Sequence, residues 1–462
     1  MKRRRFLRSA AAATAAGAAL SARRRSVAAA GPNSTPNLAL IGVGGRGEWF
    51  VKSLPGMGTR FAAFCDVHGS RLEKAGREHP EAKRFADYRE MLESMHGALD
   101  GVVVAVPDHS HAPACAHAMK LGLPVFCEKP LTRTIEEARY LRDLTRETGL
   151  ATQMGNQGTS SDAFLRSVEI IRSGALGTVR EVIAWNASGG PGQRALPGIG
   201  EPTPPYLSWD LWLGPREDRP FHPQWLNWHS WRDFGTGNLG NWAVHSANLA
   251  FKAFQVGHLW DDTAPDADFP AGRNLRVTAR ASEIVGATFP KWEQVDYEVP
   301  ERAGLPPMQM SWVNGDAPGS RERIESLLGR KLDWGDAGER KWHDHAGLVI
   351  AGSDGLLNTT GHNMSFEMHP KERFADLMGP PREFERSPGH EREWLNAIAG
   401  GPKACSDFAE YGSLLTEFVL LGNVATQFEE TLTYDPVTSR FPENPAADSL
   451  RLAGYREGWM LG

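Results

Sequence analysis

Cysteine is scarce in this 462-residue chain: Cys65, Cys115, Cys127 and Cys405 are its whole complement, and no two form a C-x-x-C pair. That argues against a disulfide framework and against a zinc module built on paired thiolates. Long apolar runs are missing too. The alanine-rich stretch at residues 9–22 is too short and too weakly apolar to cross a bilayer, so no membrane span is expected. Basic charge is thin outside one end. Of 51 basic and 56 acidic residues, residues 1–30 carry 8 basic and no acidic ones. The remaining chain stands at 43 against 56, net −13, an acidic body unsuited to nucleic acid. His109, His111 and His117 cluster in sequence but lack metal-ligand spacing, and no metal is expected.

What is present begins with that basic end. Arg3-Arg4-Arg5-Phe6-Leu7-Arg8, the weakly apolar stretch, Arg23-Arg24-Arg25 and then Ala28-Ala29-Ala30 read in order as a twin-arginine export signal over residues 1–30. Export to the periplasm is the expectation, and a body without disulfides is compatible with folding before transport.

Gly42-Val43-Gly44-Gly45-Arg46-Gly47 follows the apolar run Leu38-Ala39-Leu40-Ile41 and opens a helical pattern. This is a G-x-G-x-x-G turn in its required context: Gly42 for the tight turn, Gly44 for close approach of a pyrophosphate, Gly47 for helix–strand packing, with Gly45 also counted in the cofactor site. A second apolar run, residues 61–65, ends in Asp66, where a carboxylate would bind the adenosine ribose and repel a 2′-phosphate. NAD is therefore expected over NADP. Further buried strands at residues 102–106, 124–127 and 151–154 alternate with helices at 111–121 and 134–148, predicting a Rossmann domain over residues 37–157. After a helix at 161–173, strand patterns at 180–186, 275–285, 293–299, 308–313 and 347–351 predict an α/β domain with a mostly antiparallel sheet over 158–430. Residues 431–462 are read as a C-terminal extension. Residues 187–240 form a long Gly-, Pro- and Trp-rich loop region, the kind usually kept for function.

With Glu128-Lys129-Pro130 directly after a strand, the chain resembles the glucose–fructose oxidoreductase/inositol dehydrogenase (Gfo/Idh/MocA) family. The resemblance rests on the glycine loop, Cys65-Asp66, residues 106–111 (Val-Pro-Asp-His-Ser-His) and Met154-Gly155-Asn156-Gln157-Gly158. Gly174-Ala175-Leu176-Gly177, Trp212-Leu213-Gly214-Pro215, residues 233–237 (Asp-Phe-Gly-Thr-Gly) and Ser387-Pro388-Gly389-His390 extend it. It implies a fold of α/β class, a Rossmann domain joined to an α/β domain with a large open sheet, whose outer face makes a homo-oligomer. It implies sugar, inositol or polyol substrates, and a cofactor site that includes Arg46, Pro107, His109, His111, Glu128, Lys129 and Asn156.

The resemblance also places Lys129 between nicotinamide and substrate, with an Asp-x-x-x-His pair completing the site. Here the pair reads Asn241 and His245, and Asn248 replaces another frequent aspartate. Oxidising a secondary alcohol needs a cation near the oxygen and a base for its proton, roles that Lys129 and His245 can fill. An amide at 241 can orient an imidazole but cannot charge-stabilise it, so His245 should be a weak base unless Asp233 approaches. Six of fifteen tryptophans lie between Trp209 and Trp242, and such aromatic faces suit pyranose rings. Trp228, His229, Asp233 and Trp242 are the candidate substrate contacts. An exported NAD enzyme is expected to keep its cofactor and return the hydride within a closed cycle. The alternatives are redox-assisted glycoside cleavage and a binding protein that has lost turnover.

Overall fold

Unbroken apolar runs become the strands of a six-stranded parallel sheet in the computed structural model, which describes residues 35–461 apart from 191–193, 337, 339, 340, 376 and 378. The twin-arginine segment lies outside the described residues. The strands are β1 Asn37–Ile41, β2 Arg60–Cys65, β3 Lys83–Phe85, β4 Gly101–Val104, β5 Val125–Cys127 and β6 Thr152–Met154. Their order, β3-β2-β1-β4-β5-β6, is that of a doubly wound dinucleotide fold, with its switch point between β1 and β4. Every side chain of β4 is buried, as expected of a strand covered on both faces. Sequence patterning missed β3, a short and largely exposed edge strand with no apolar run to betray it. The helix Ile135–Thr148 starts on a full capping box, Thr134 with Glu137, and stops at left-handed Gly149.

A second sheet has eight strands: β7 Val179–Asn186, β8 Leu275–Ala281, β9 Glu293–Val299, β10 Met308–Asn314, β11 Ala346–Gly352, β12 Leu356–Thr360, β13 Phe366–His369 and β14 Leu432–Tyr434. Their order is β13-β12-β11-β7-β10-β9-β8-β14, antiparallel throughout except where β10 runs parallel to β7. The fold is α/β, a Rossmann sheet beside a mostly antiparallel one. β14 falls in the residues read as an extension, yet it closes one edge of this sheet against β8. The helix Ser413–Ala425 is apolar on nearly every face because it is wedged between the Rossmann helix Ile135–Thr148 and the second sheet.

The outer face of that sheet is not wholly open. Ile183, Trp185, Val313 and Val349 on it are covered by Ile324 and Leu328 of the chain's own helix Ser320–Leu328. Beyond that cover the face turns polar, with Arg280 bonded to Gln294 and Ser311 to Asp296.

Candidate functional site

The glycine turn joins β1 to the helix Arg46–Ser53. Gly42 has φ +88°, and a Cβ there would overlap the Ala105 carbonyl; one at Gly47 would overlap the Gly42 carbonyl. Gly45 has φ +53° and open space where a side chain would project, leaving the turn bare for a ligand's approach. Gly44 instead meets the Arg71 side chain. Asp66 accepts from Val43 N at 2.9 Å and His68 N at 2.8 Å, which fixes its carboxylate beside the turn. This set fits a dinucleotide: a bare turn at a helix start and a carboxylate one strand away.

These residues line one end of a continuous cleft of about 680 Å³, whose other end holds Lys129, Asn241, Trp242, His245 and His362. Pro107, Asp108, His111, Glu128, Trp228 and His229 also stand in its wall. Glu128 accepts from Arg46 Nε at 2.9 Å, and the Arg46 guanidinium lies 4.0 Å over the Trp49 ring. His111 is buried, its ring nitrogens each 2.8 Å from the carbonyl oxygens of Val106 and Pro130, so it braces the turn that carries Lys129.

Lys129 Nζ donates to the Asn241 carbonyl oxygen at 3.0 Å and to its Oδ1 at 2.5 Å. Burial lowers the Lys129 pKa against the opposing pull of Glu128 and Asp108. Asn241 therefore holds the lysine, not the imidazole it was expected to orient. His245 is buried with Nδ1 unpartnered, its ring 4.5 Å from that of His362. Burial, then the charge of Lys129 and the neighbouring His362, push its pKa well down. Asp108 has one oxygen on Thr236 Oγ1 at 2.6 Å and the other unpartnered; burial raises its pKa to about 6.

Three expectations need correction. Asp233 does not approach His245; Arg216 at 2.9 Å and Arg219 at 2.7 Å hold its carboxylate, and it is absent from the cleft wall. His109 is not a cleft residue but a brace, fully buried between the Trp212 and Phe234 carbonyls, with its pKa lowered to about 3 by burial. Asn156 likewise turns inward to accept from Ser406 Oγ at 2.6 Å, and Gln157 takes the wall position. Asn248 is clamped away from His245: Nδ2 donates to Thr159 Oγ1 at 2.8 Å while Oδ1 accepts from Tyr411, a pairing that needs an amide's donor.

The tryptophans divide as a long loop requires. Trp212, Trp225 and Trp231, with Leu207, Leu213, Phe221 and Phe234, make a satellite core, against which Trp209 and Trp228 pack. Trp212, Trp228 and Trp242 also face the cleft. The Trp228 ring stacks on His229 at 3.5 Å, and burial lowers the His229 pKa to about 3. His362, between β12 and β13, was invisible to motif reading because only the sheet brings it to His245. Trp459 was missed too; it returns to the cleft under Arg89, whose guanidinium lies 4.0 Å over its ring.

One further grouping, His390, Glu393 and Cys405, could in principle hold a cation. Gln153 Nε2 stands among them as a donor, 3.1 Å from His390 Nδ1 and 3.5 Å from Glu393, while its Oε1 is fixed by Ser406 N. That makes a hydrogen-bond knot at the end of β6.

Residues 37–156 match the model of an oxidoreductase family with an NAD-binding Rossmann fold, GFO_IDH_MocA. Over these residues the chain is similar to the Gfo/Idh/MocA oxidoreductases. It is 31% identical over 144 residues to the rhizopine catabolism protein MocA of Rhizobium meliloti, covering 31% of this chain and 44% of that protein. It is 28% identical over 141 residues to the NAD(+)-dependent scyllo-inositol 2-dehydrogenase of Bacillus subtilis (strain 168), covering 30% and 41%. The chain thus matches less than half the length of these curated relatives. Its fold is similar to that of an aldose–aldose oxidoreductase from Caulobacter crescentus, with TM-score 0.55 and 15% identity over 86% of this chain and 99% of the other. Among the described residues no helix is long and apolar enough to cross a membrane.

Proposed function

We propose that this chain is an NAD-dependent oxidoreductase that oxidises a secondary alcohol of a sugar or polyol. The observation that carries the reading is the single cleft running from the glycine turn and Asp66 to Lys129, His245 and His362. The bare turn would take the pyrophosphate and Asp66 the adenosine ribose, and bound NAD would supply the hydride acceptor. Lys129, pinned by Asn241, presents its ammonium to the alcohol oxygen as that oxygen gains charge. His245, kept neutral by burial and by the lysine's charge, is the imidazole in the cleft wall that would take the hydroxyl proton. Asp108, with one oxygen unpartnered beside the lysine, is placed to relay that proton onward.

A carbohydrate is favoured by the indoles of Trp228 and Trp242 in the wall, flat apolar faces beside polar side chains. The relatives' names, an inositol dehydrogenase and an aldose–aldose oxidoreductase, point the same way. Asp66 favours NAD over NADP, although Arg71 beside Gly44 offers a cation that a 2′-phosphate would use. The export signal expected at residues 1–30 supports a cofactor retained through turnover.

The test is mass spectrometry and absorbance of the purified protein, quenched in cold neutral organic solvent before and after mixing with a sugar and polyol panel, with NAD and NADP each supplied. Resident NAD that becomes NADH with one member supports the reading. Affinity for neither dinucleotide, or NAD that is bound and never reduced with no product formed, overturns it.

A further inference from the structure

A second cavity, of about 400 Å³, shares no wall residue with the cleft. Its cations come from three helices: Arg142 and Arg146 of Ile135–Thr148, Arg172 at the end of Asp162–Arg172, and Lys252 of Asn248–Ala253. Arg142 and Arg146 are four residues apart on one helix face, a like-charge spacing that costs stability unless an anion offsets it.

Arg142 is the telling residue. It is fully buried, and only Nη2 has a partner, the Trp260 carbonyl at 2.7 Å; Nε and Nη1 have none. Leaving charged donors buried and unsatisfied is costly, so a site that does so is ordinarily completed by something. Lys252 Nζ has only the face of Tyr411 beneath it, 4.8 Å from the ring centre. Arg172 spends its donors on the Ala253 and Lys252 carbonyls, at 3.2 and 2.9 Å. Burial lowers the pKa of Lys252 and that of Arg142, the latter to about 10 with help from the charges of Arg139 and Arg146.

Among the described residues no carboxylate is in ion-pair contact with Arg142 or Lys252, although Glu417 and Asp143 stand near the first and Glu410 near the second. Asp261 accepts from Thr263 N and Oγ1 at 3.0 and 2.6 Å and faces His258 at 4.0 Å. Glu410 is paired with Lys403, and Asp262 meets only Arg146, at 3.8 Å. Glu417, the buried carboxylate beside Arg142, gives Oε1 to Trp260 Nε1 and Tyr434, while its Oε2 is unpartnered. Glu417 and Arg142 therefore form no ion pair.

We propose that this cavity is a phosphate-binding site, taking inorganic phosphate or a small phosphate monoester between the Arg142 guanidinium and Lys252. The Arg142 guanidinium keeps N–H donors at Nε and Nη1 without a partner, and the lysine supplies a second charge across the cavity. The cavity's size leaves room for a short carbon chain on the phosphate. The site is independent of the redox reading above.

Isothermal titration of the full chain with inorganic phosphate, with and without saturating NAD, tests this at an ionic strength held constant with chloride. One saturable site in both conditions is expected, with Kd raised about tenfold or more in Lys252→Met and in Arg146→Gln. Arg142→Met should lose the site altogether; should that buried variant fail to fold, the two wall variants decide. Glycerol 3-phosphate binding more tightly than phosphate would identify the ligand as an ester, and equal affinity would identify the free ion. Binding unchanged in both wall variants, binding matched by chloride, or binding abolished by NAD, which would place the phosphate at the glycine turn, overturns the proposal.

Discussion

The two ends of the cleft are made of different materials. The dinucleotide end is mostly backbone: a turn at Gly42–Gly47 whose shape is enforced by the collisions a side chain would suffer at Gly42 and Gly47, and one carboxylate, Asp66, locked by two amides. The other end is side chains from separate stretches, Lys129, Asn241, His245 and His362, each placed by something else. Asn241 pins Lys129, Asn363 holds the His245 carbonyl, and the strands β12 and β13 flank His362. An end fixed by local sterics changes all at once or not at all. An end assembled from distant side chains can be retuned one residue at a time.

The largest effect should come from attacking the backbone end. Gly47→Val forces a side chain into the Gly42 carbonyl, and we expect a loss of about 3 kcal/mol or more, read as a large fall in the thermal unfolding midpoint. Wild-type stability in this variant would mean the turn is pliable and the contrast misdrawn. Lys129→Met should leave folding and dinucleotide affinity intact while lowering kcat about a thousandfold. A change in dinucleotide affinity alone would move Lys129 to the other end of the cleft.

Smaller shifts sharpen the comparison. Asn241→Asp puts a carboxylate against the ammonium, favouring the charged lysine; its pKa rises, and the alkaline limb of the rate profile should move up by about one pH unit. The smallest effect concerns Asp108. Its carboxyl titrates at about 6 when folded, above the roughly 3.9 of an unfolded chain. Between those values the folded state binds more protons, so this group's contribution to stability falls as pH rises through that window and stays low above it. Asp108→Asn should flatten that slope, seen by comparing urea midpoints at about pH 4.5 and pH 7. An unchanged slope would remove Asp108 from the account.

The same contrast explains what the sequence made legible. β1, β2, β4 and β5 announce themselves as apolar runs, and Gly42 and Asp66 sit at fixed offsets from them, so the dinucleotide end could be read from local pattern. β3 could not, because its Lys83 and Arg84 face solvent. At the other end Lys129, Asn241, His245, Trp228, His229 and Trp242, all expected from the sequence, share the cleft. His109 and Asn156 misled because motif neighbours alternate between facing a ligand and facing the core, and spacing alone does not say which. Asp233 misled because Arg216 and Arg219, distant from His245, claim its charge. His362 carries no local signature at all.

The stacked pair Trp228 and His229 has an optical consequence. An imidazole in ring contact with an indole alters its light emission mainly when it becomes protonated, and burial delays that step in His229 until about pH 3. Near neutrality this proton therefore leaves the fluorescence of Trp228 unchanged, and a ligand entering the cleft that Trp228, Trp212 and Trp242 line would be expected to alter it. The molecule carries its own gauge of occupancy, readable without a label.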